Sequence, residues 1–278
     1  MCIRKEFERI AKEVYNSKNN ESINFIQIES TPKDSNKYAI LSEDQYIGIV
    51  KIEKSSPSFV EWILPPSYLK EKSNVEEKYD LKKQRFKTDQ QIIRKIVDES
   101  IKTIVIVLES PHTDEFLMNG KNESIGVAVG KTGENLFNWL PEVLLNYVPC
   151  VVDKKTAKAK YYSAKNIESG TYAIKIVNAI QYQCSLGAAT EKYRDCVFSK
   201  MWELQKVKEN FIDRLKQSNP DIIINCCTKG YYEKGEEEEE LRIKVQKEID
   251  LHKFNVLILR SAHPSSYHFK AGLFYVGD

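Results

Sequence analysis

Apolar side chains recur at steps of three and four near the start of the chain, Ile3, Phe7, Ile10 and Val14 standing among charges, and that period predicts an amphipathic helix over residues 1–20. The pattern then changes. Apolar runs at residues 23–28, 38–41, 46–52 and 59–64, each bounded by Pro, Ser, Asn or Asp, predict the strands of a small antiparallel sheet, closed by Pro65 and Pro66. Residues 67–90 are dominated by Lys and Glu and predict a solvated helix or a connection, which places a boundary near residue 85. Beyond it, short runs of almost pure Ile and Val, at 103–108, 173–180, 221–226 and 255–259, alternate with helical periodicity at 90–100, 133–146, 197–217 and 236–251. Strands buried on both faces read this way. The expected fold is therefore α/β: a three-layer α/β/α domain over residues 86–278 with a four-stranded parallel sheet, preceded by a small N-terminal α+β region over residues 1–85 to which the pattern gives no role.

Composition narrows the class of protein. With 278 residues, 41% hydrophobic and 29% charged, the chain is long enough and apolar enough to fold around a core. Its 42 basic and 40 acidic residues leave +2, so no global field announces a nucleic-acid partner and such a role must rest on local patches. No apolar run approaches the roughly 18 residues of a membrane span, and the start lacks the apolar core of a signal peptide. The expectation is a cytoplasmic protein without a membrane partner. Six cysteines with no C-x-x-C pair argue against a disulfide framework or a zinc ribbon, and no metal is expected. The acidic run at residues 236–240 suits the positive end of a helix dipole.

Ligands of open parallel sheets bind beyond the carboxyl ends of the strands, and the residues there carry chemistry. After the first strand comes Glu109-Ser110-Pro111-His112-Thr113-Asp114-Glu115, in the second stands Asn178, and after the fourth comes Ser261-Ala262-His263-Pro264-Ser265-Ser266. Three strands would deliver carboxylate, amide and imidazole to one edge.

These motifs resemble those of the uracil-DNA glycosylase superfamily, over roughly residues 100–277. Leu108-Glu109-Ser110-Pro111-His112 is similar to its first motif, G-Q-D-P-Y-H or G-E-A-P-G; residues 127–133 to its Gly-rich segment before a helix; Asn178 to the Asn of L-N-A-V; and His263-Pro264-Ser265 to its closing H-P-S. The resemblance implies DNA as partner and hydrolysis of an N-glycosidic bond after base flipping, without a cofactor. It implies that His263 stabilises the leaving base, that Asn178 reads it, and that Glu109 with Asp114 and Glu115 places water. Ser110, His112 and Val129 would line the base pocket. Lys131, Ser265, Ser266, Tyr267, His268 and Lys270 would meet DNA, with Tyr267, His268 or Phe269 as the wedge filling the gap.

The chain also departs from the pattern. Ser110 stands where the best-known branch has its water-orienting Asp, and the stacking aromatic falls at Ala128 or Val129, leaving Phe116 or Phe137 to serve. A non-cleaving DNA- or nucleobase-binding module is therefore the alternative. A phosphate loop at Gly126-Val127-Ala128-Val129-Gly130-Lys131-Thr132 is a third reading, but Gly126 leaves three residues before Gly-Lys-Thr where four are needed. Cys184 and Cys196 echo two iron-sulfur ligands of the G-E-A-P-G branch, with only Cys2 near the N-terminus to replace the other pair; buried thiols are expected instead. Lys154, Lys155, Lys158, Lys160 and Lys165 face the single acid Asp153, a patch suited to a DNA backbone or to a solvated loop.

Overall fold

The amphipathic start folds as read: helix α1 (Ile3–Asn20) buries Phe7, Ile10, Ala11 and Val14 on one stripe and keeps its charges outside. The structure, a computed structural model, describes residues 2–20, 41–53, 58–62, 89–116, 124–145, 150–152, 159–161, 167–230 and 239–275. The strands expected at 23–28 and 38–40, most of the basic patch and the acids 236–238 lie outside the described residues. The Ile/Val-rich runs form β3 (Lys102–Leu108), β6 (Gly170–Asn178), β7 (Ile222–Asn225) and β8 (Leu257–Arg260). These four run parallel, side by side in the order β6-β3-β7-β8. Period-two alternation splits their side chains between two cores. Val105, Val107, Val177 and Ile223 join residues of α1, α4 (Thr190–Trp202), α5 (Gln205–Gln217) and α6 (Leu241–Leu251) on one face. Ile104, Ile106, Ile174, Ile176, Ile222 and Ile224 join Leu136, Leu140 and Val143 of α3 (Lys131–Leu145) and Ile92 of α2 (residues 89–99) on the other. Helices thus cover both faces, and each fully buried Ile or Val contributes about 1.5–3 kcal/mol.

Three expectations are corrected. The sheet is mixed, not a four-stranded parallel one: its seven strands run β2-β1-β6-β3-β7-β8-β9, with β1 (Gln45–Ile52), β2 (Ser58–Trp62) and β9 (Phe274–Tyr275) all antiparallel to their neighbours. The described N-terminal strands, β1 and β2, accordingly belong to this sheet, and among the described residues the boundary near residue 85 does not separate two cores. β1 pairs along β6 from Gln45 opposite Ile176 to Ile52 opposite Gly170, and α1 packs in the same core as α4. The physical reason was present in the run Tyr46-Ile47-Gly48-Ile49-Val50, which is apolar on both faces and so suits a strand with neighbours and helices around it. β6 would otherwise end the sheet as an exposed edge. Third, the helix expected over 197–217 is two helices, broken where Leu204 takes an extended backbone, with Trp202 and Leu204 both kept on the core. Within the stretch read as a basic loop, β4 (Cys150–Val152) and β5 (Ala159–Tyr161) pair as a separate two-stranded antiparallel sheet.

Candidate active site

From β3 the chain moves to β6 on one side and then crosses to β7 on the other, so the boundary between β3 and β7 is the switch point at which such sheets receive ligands. Pairing continues past the strand ends: Ala179 N–H donates to Leu108 O (2.7 Å), Ile180 N–H to Glu109 O (3.0 Å) and Ser261 N–H to Asn225 O (3.1 Å). Glu109, Asn178 and His263 therefore all emerge at the same edge of the sheet.

Glu109 sits at the centre of that edge. Its Oε1 accepts from Arg194 Nη1 (3.2 Å), its Oε2 accepts from the N–H of Thr228 just after β7 (3.3 Å), and His263 Nε2 lies 3.6 Å from Oε2. Arg194, on α4, also donates through Nε to Asp195 (2.8 Å), and all three side chains are buried. Sequence reading missed Arg194. The signal was there: a charge one step from Tyr193 and three from Val197 stands on the apolar stripe of its helix, where a lone cation is not tolerated without a partner.

His263 is held by its own loop. Ser265 N–H donates to Nδ1 (3.1 Å), the Ser265 hydroxyl lies 2.7 Å from the same nitrogen, and Asn135 of α3 ties the loop down by donating to Pro264 O (2.6 Å). A ring nitrogen that accepts an N–H carries no proton in the neutral ring, so the proton belongs on Nε2. Burial holds the His263 pKa below the ordinary histidine value and outweighs the opposing pull of Glu109. At 3.6 Å the Glu109 contact is longer than a hydrogen bond. Nε2–H, facing Glu109 from beyond hydrogen-bond range, is left as a donor at this edge of the sheet.

Asn178, 0% exposed at the end of β6 and level with Leu108, has neither its Oδ1 nor its Nδ2 hydrogen-bonded. Leaving such an amide unsatisfied costs about 1–3 kcal/mol, so a fold that keeps one invites a ligand as the explanation.

The other site residues divide. Asp114 and His112 meet each other, Oδ2 to Nδ1 at 3.1 Å, half-exposed at the rim, and this bond raises the His112 pKa. Glu115 turns away to brace the Gly-rich loop, its Oε1 accepting from Ala128 N–H (3.2 Å). Ser110 lies beside the thiol of Cys184, a group that burial pushes up to about 12. Val129 and Phe116 are buried, and Phe137 is half-buried. Lys131 is exposed and paired with Glu134 (3.0 Å). Ser266 caps the short helix Tyr267–Ala271, accepting from His268 N–H. Tyr267 is 81% exposed, with His268 edge-on to it and Lys270 Nζ over the Trp139 ring at 3.5 Å. Phe269 is buried in the core, which removes it from the wedge candidates. Among the described residues, no cluster of three or more His, Cys, Asp or Glu side chains is arranged to hold a metal ion, and no helix is long and apolar enough to cross a membrane.

The Gly-rich loop is filled by the protein's own acids. Besides the Glu115 bond, a Cβ at Gly130 would stand 2.6 Å from Asp114 Oδ2, and one at Gly133 would stand 2.0 Å from the carbonyl oxygen of Ala128. Carboxylates occupy the place a phosphate would need, so the phosphate-loop reading loses its physical basis. Because the Gly133 obstacle is backbone, Gly133→Ala is expected to destabilise at or beyond the upper end of the roughly 1–3 kcal/mol usual for overpacking. A thermal melt checks this, and a transition unchanged from the parent would show the loop to be looser than described.

No family model, curated protein or solved structure matches the chain.

Proposed function

We propose that the protein is a monofunctional DNA glycosylase, a divergent relative of the uracil-DNA glycosylase superfamily, that flips an altered base out of DNA and hydrolyses its N-glycosidic bond. The observation that carries this reading is Asn178: a wholly buried amide, both polar atoms unused, at the strand edge that also holds the Nε2–H of His263. An amide offers donor and acceptor side by side, which matches the ring edge of a pyrimidine such as uracil. As the C1′–N bond breaks, its electron pair passes to the base, and the neutral His263 donates Nε2–H to the carbonyl on which that charge collects. Water bonds to C1′, and the proton it sheds ends on the departed base. Glu109, fixed by Arg194 and Thr228, opposes the cationic sugar, while Asp114, open to solvent beside His112, orders the water. Glu115 serves the loop rather than the reaction. Tyr267 is the wedge, and Lys270 with Trp139 lies beside it on the DNA-facing surface.

A second reading, a module that binds a base without cleaving, rests on Ser110. It stands in place of a water-orienting Asp, and its hydroxyl lies beside the Cys184 thiol. One experiment separates the two. Oligonucleotides carrying uracil, hypoxanthine, xanthine or modified cytosines are incubated with the protein and heated in alkali. The enzyme reading expects strand breaks only after alkali, because in this resemblance no lysine stands where a Schiff-base nucleophile is expected, and expects Asn178→Ala to reduce them sharply to a slow residual rate. Binding without breaks on every substrate would favour the module, and breaks undiminished in Asn178→Ala would sink the assignment.

A further inference from the structure

The pair Asp44–Arg214 brackets the peptide of Asn178, and we propose that it is the positioning device that aims the Asn178 amide into the site. The inference rests on the reading of Asn178 as the residue that meets the base. It gives the N-terminal segment a function in that reading.

Arg214, on α5, donates through Nη1 to both oxygens of Asp44 (2.8 and 2.9 Å). Through Nη2 it reaches the carbonyl oxygens of Asn178 (2.9 Å) and Ala179 (3.2 Å). The Asn178 N–H lies beside the Asp44 carboxylate and favours its charge. One guanidinium thus holds the carbonyl side of Asn178 and is itself anchored by the carboxylate beside the Asn178 N–H, and the side chain they orient is the one that makes no bond of its own. The pair is nearly buried, with side chains 12% and 9% exposed, and sits just before β1, whose pairing on β6 begins with Gln45 opposite Ile176. A flat, five-donor fork is suited to this role because it spans two carbonyls and a carboxylate at once, whereas an ammonium cannot. Strand pairing fixes this peptide on the β3 side alone, through the Ala179 N–H on Leu108 O, and Arg214 fixes the Asn178 carbonyl; a reading group displaced by about 1 Å loses on the order of a hundredfold in rate.

The test uses the full chain and a double-mutant cycle. Arg214→Lys keeps the charge but not the fork, and Asp44→Leu/Arg214→Met removes the pair without leaving a lone buried charge. Single-turnover excision on the preferred oligonucleotide is expected to fall on the order of a hundredfold in each, with the melting transition of the double variant close to that of the parent. In an Asn178→Ala background the same changes are expected to cost nothing further, because a device acting only through Asn178 has nothing left to aim. Additive losses would overturn the proposal and assign the pair to general stability. Should the parent excise no base at all, the reading of Asn178 as a base reader fails, and NMR still decides the positioning. The Asn178 side-chain NH2 signals, identified by their disappearance in Asn178→Ala, are expected to shift in Arg214→Lys, and unmoved signals would overturn it.

Discussion

His263→Ala is expected to lower single-turnover base excision by about 10²–10³-fold, the usual loss when one preorganised donor to a developing anion is removed. DNA binding is expected to hold nearly unchanged, since the imidazole is only 17% exposed and contributes little to the contact surface. The position of the proton decides the effect. Ser265 N–H occupies Nδ1, the proton sits on Nε2, and burial keeps the ring neutral. A neutral donor gains strength in the transition state, as the base becomes an anion, more than it does toward the intact nucleotide. The pH profile follows. Because the His263 pKa is lowered, excision is expected to stay level as pH falls through the ordinary histidine value near ~6.5 and to decline only below it. An acid limb above that value, or full activity in His263→Ala, would refute the role. Stability carries the same sign. Between ~6.5 and the lowered folded value the unfolded chain binds the proton and the folded one does not, so this group's contribution is full above ~6.5 and is lost as pH falls. His112, raised by Asp114, acts oppositely: its contribution is full below ~6.5 and is lost as pH rises through its folded value.

Arg194→Met is expected to destabilise the protein by about 3–5 kcal/mol, because it leaves the Glu109 and Asp195 carboxylates buried without their cation. Loss of the hydrogen bond alone would account for only about 1.5–3 kcal/mol. Urea unfolding measures the change. Glu109→Gln in the Arg194→Met background is expected to recover part of it, since the uncompensated charge at the centre of the site is then gone. A loss under about 1 kcal/mol would place the pair among exposed salt bridges and contradict its burial.

Much of the fold was legible. Phe7 and Val14 marked the stripe of α1, and the Ile/Val-rich runs marked the four parallel strands, because period and continuous burial are local properties of the chain. The placing of Glu109, Asn178 and His263 at one sheet edge was equally readable, since residues after parallel strands share an end of the sheet. The antiparallel additions were not. A strand such as β1 carries its apolar pattern but no mark of which edge it will close, and β9, only two residues long, carries almost no pattern.

The residues that hold the site belong to the same illegible class. Asp44 and Arg214 are separated by 170 positions, and Arg194 and Glu109 by 85; in the sequence they are ordinary charges on helices and beside strands. The chain by itself determined the α/β class, the cores on each face of the sheet and which side chains stand at strand ends, all of which follow from periodicities of two and 3.6. Tertiary structure alone decided that Glu109 is ion-paired, that Glu115 braces a loop, that Phe269 is core and Tyr267 surface, and that the Asn178 amide is buried unbonded. Pairing and burial of a polar group depend on what distant segments bring to it, and local pattern holds no record of that.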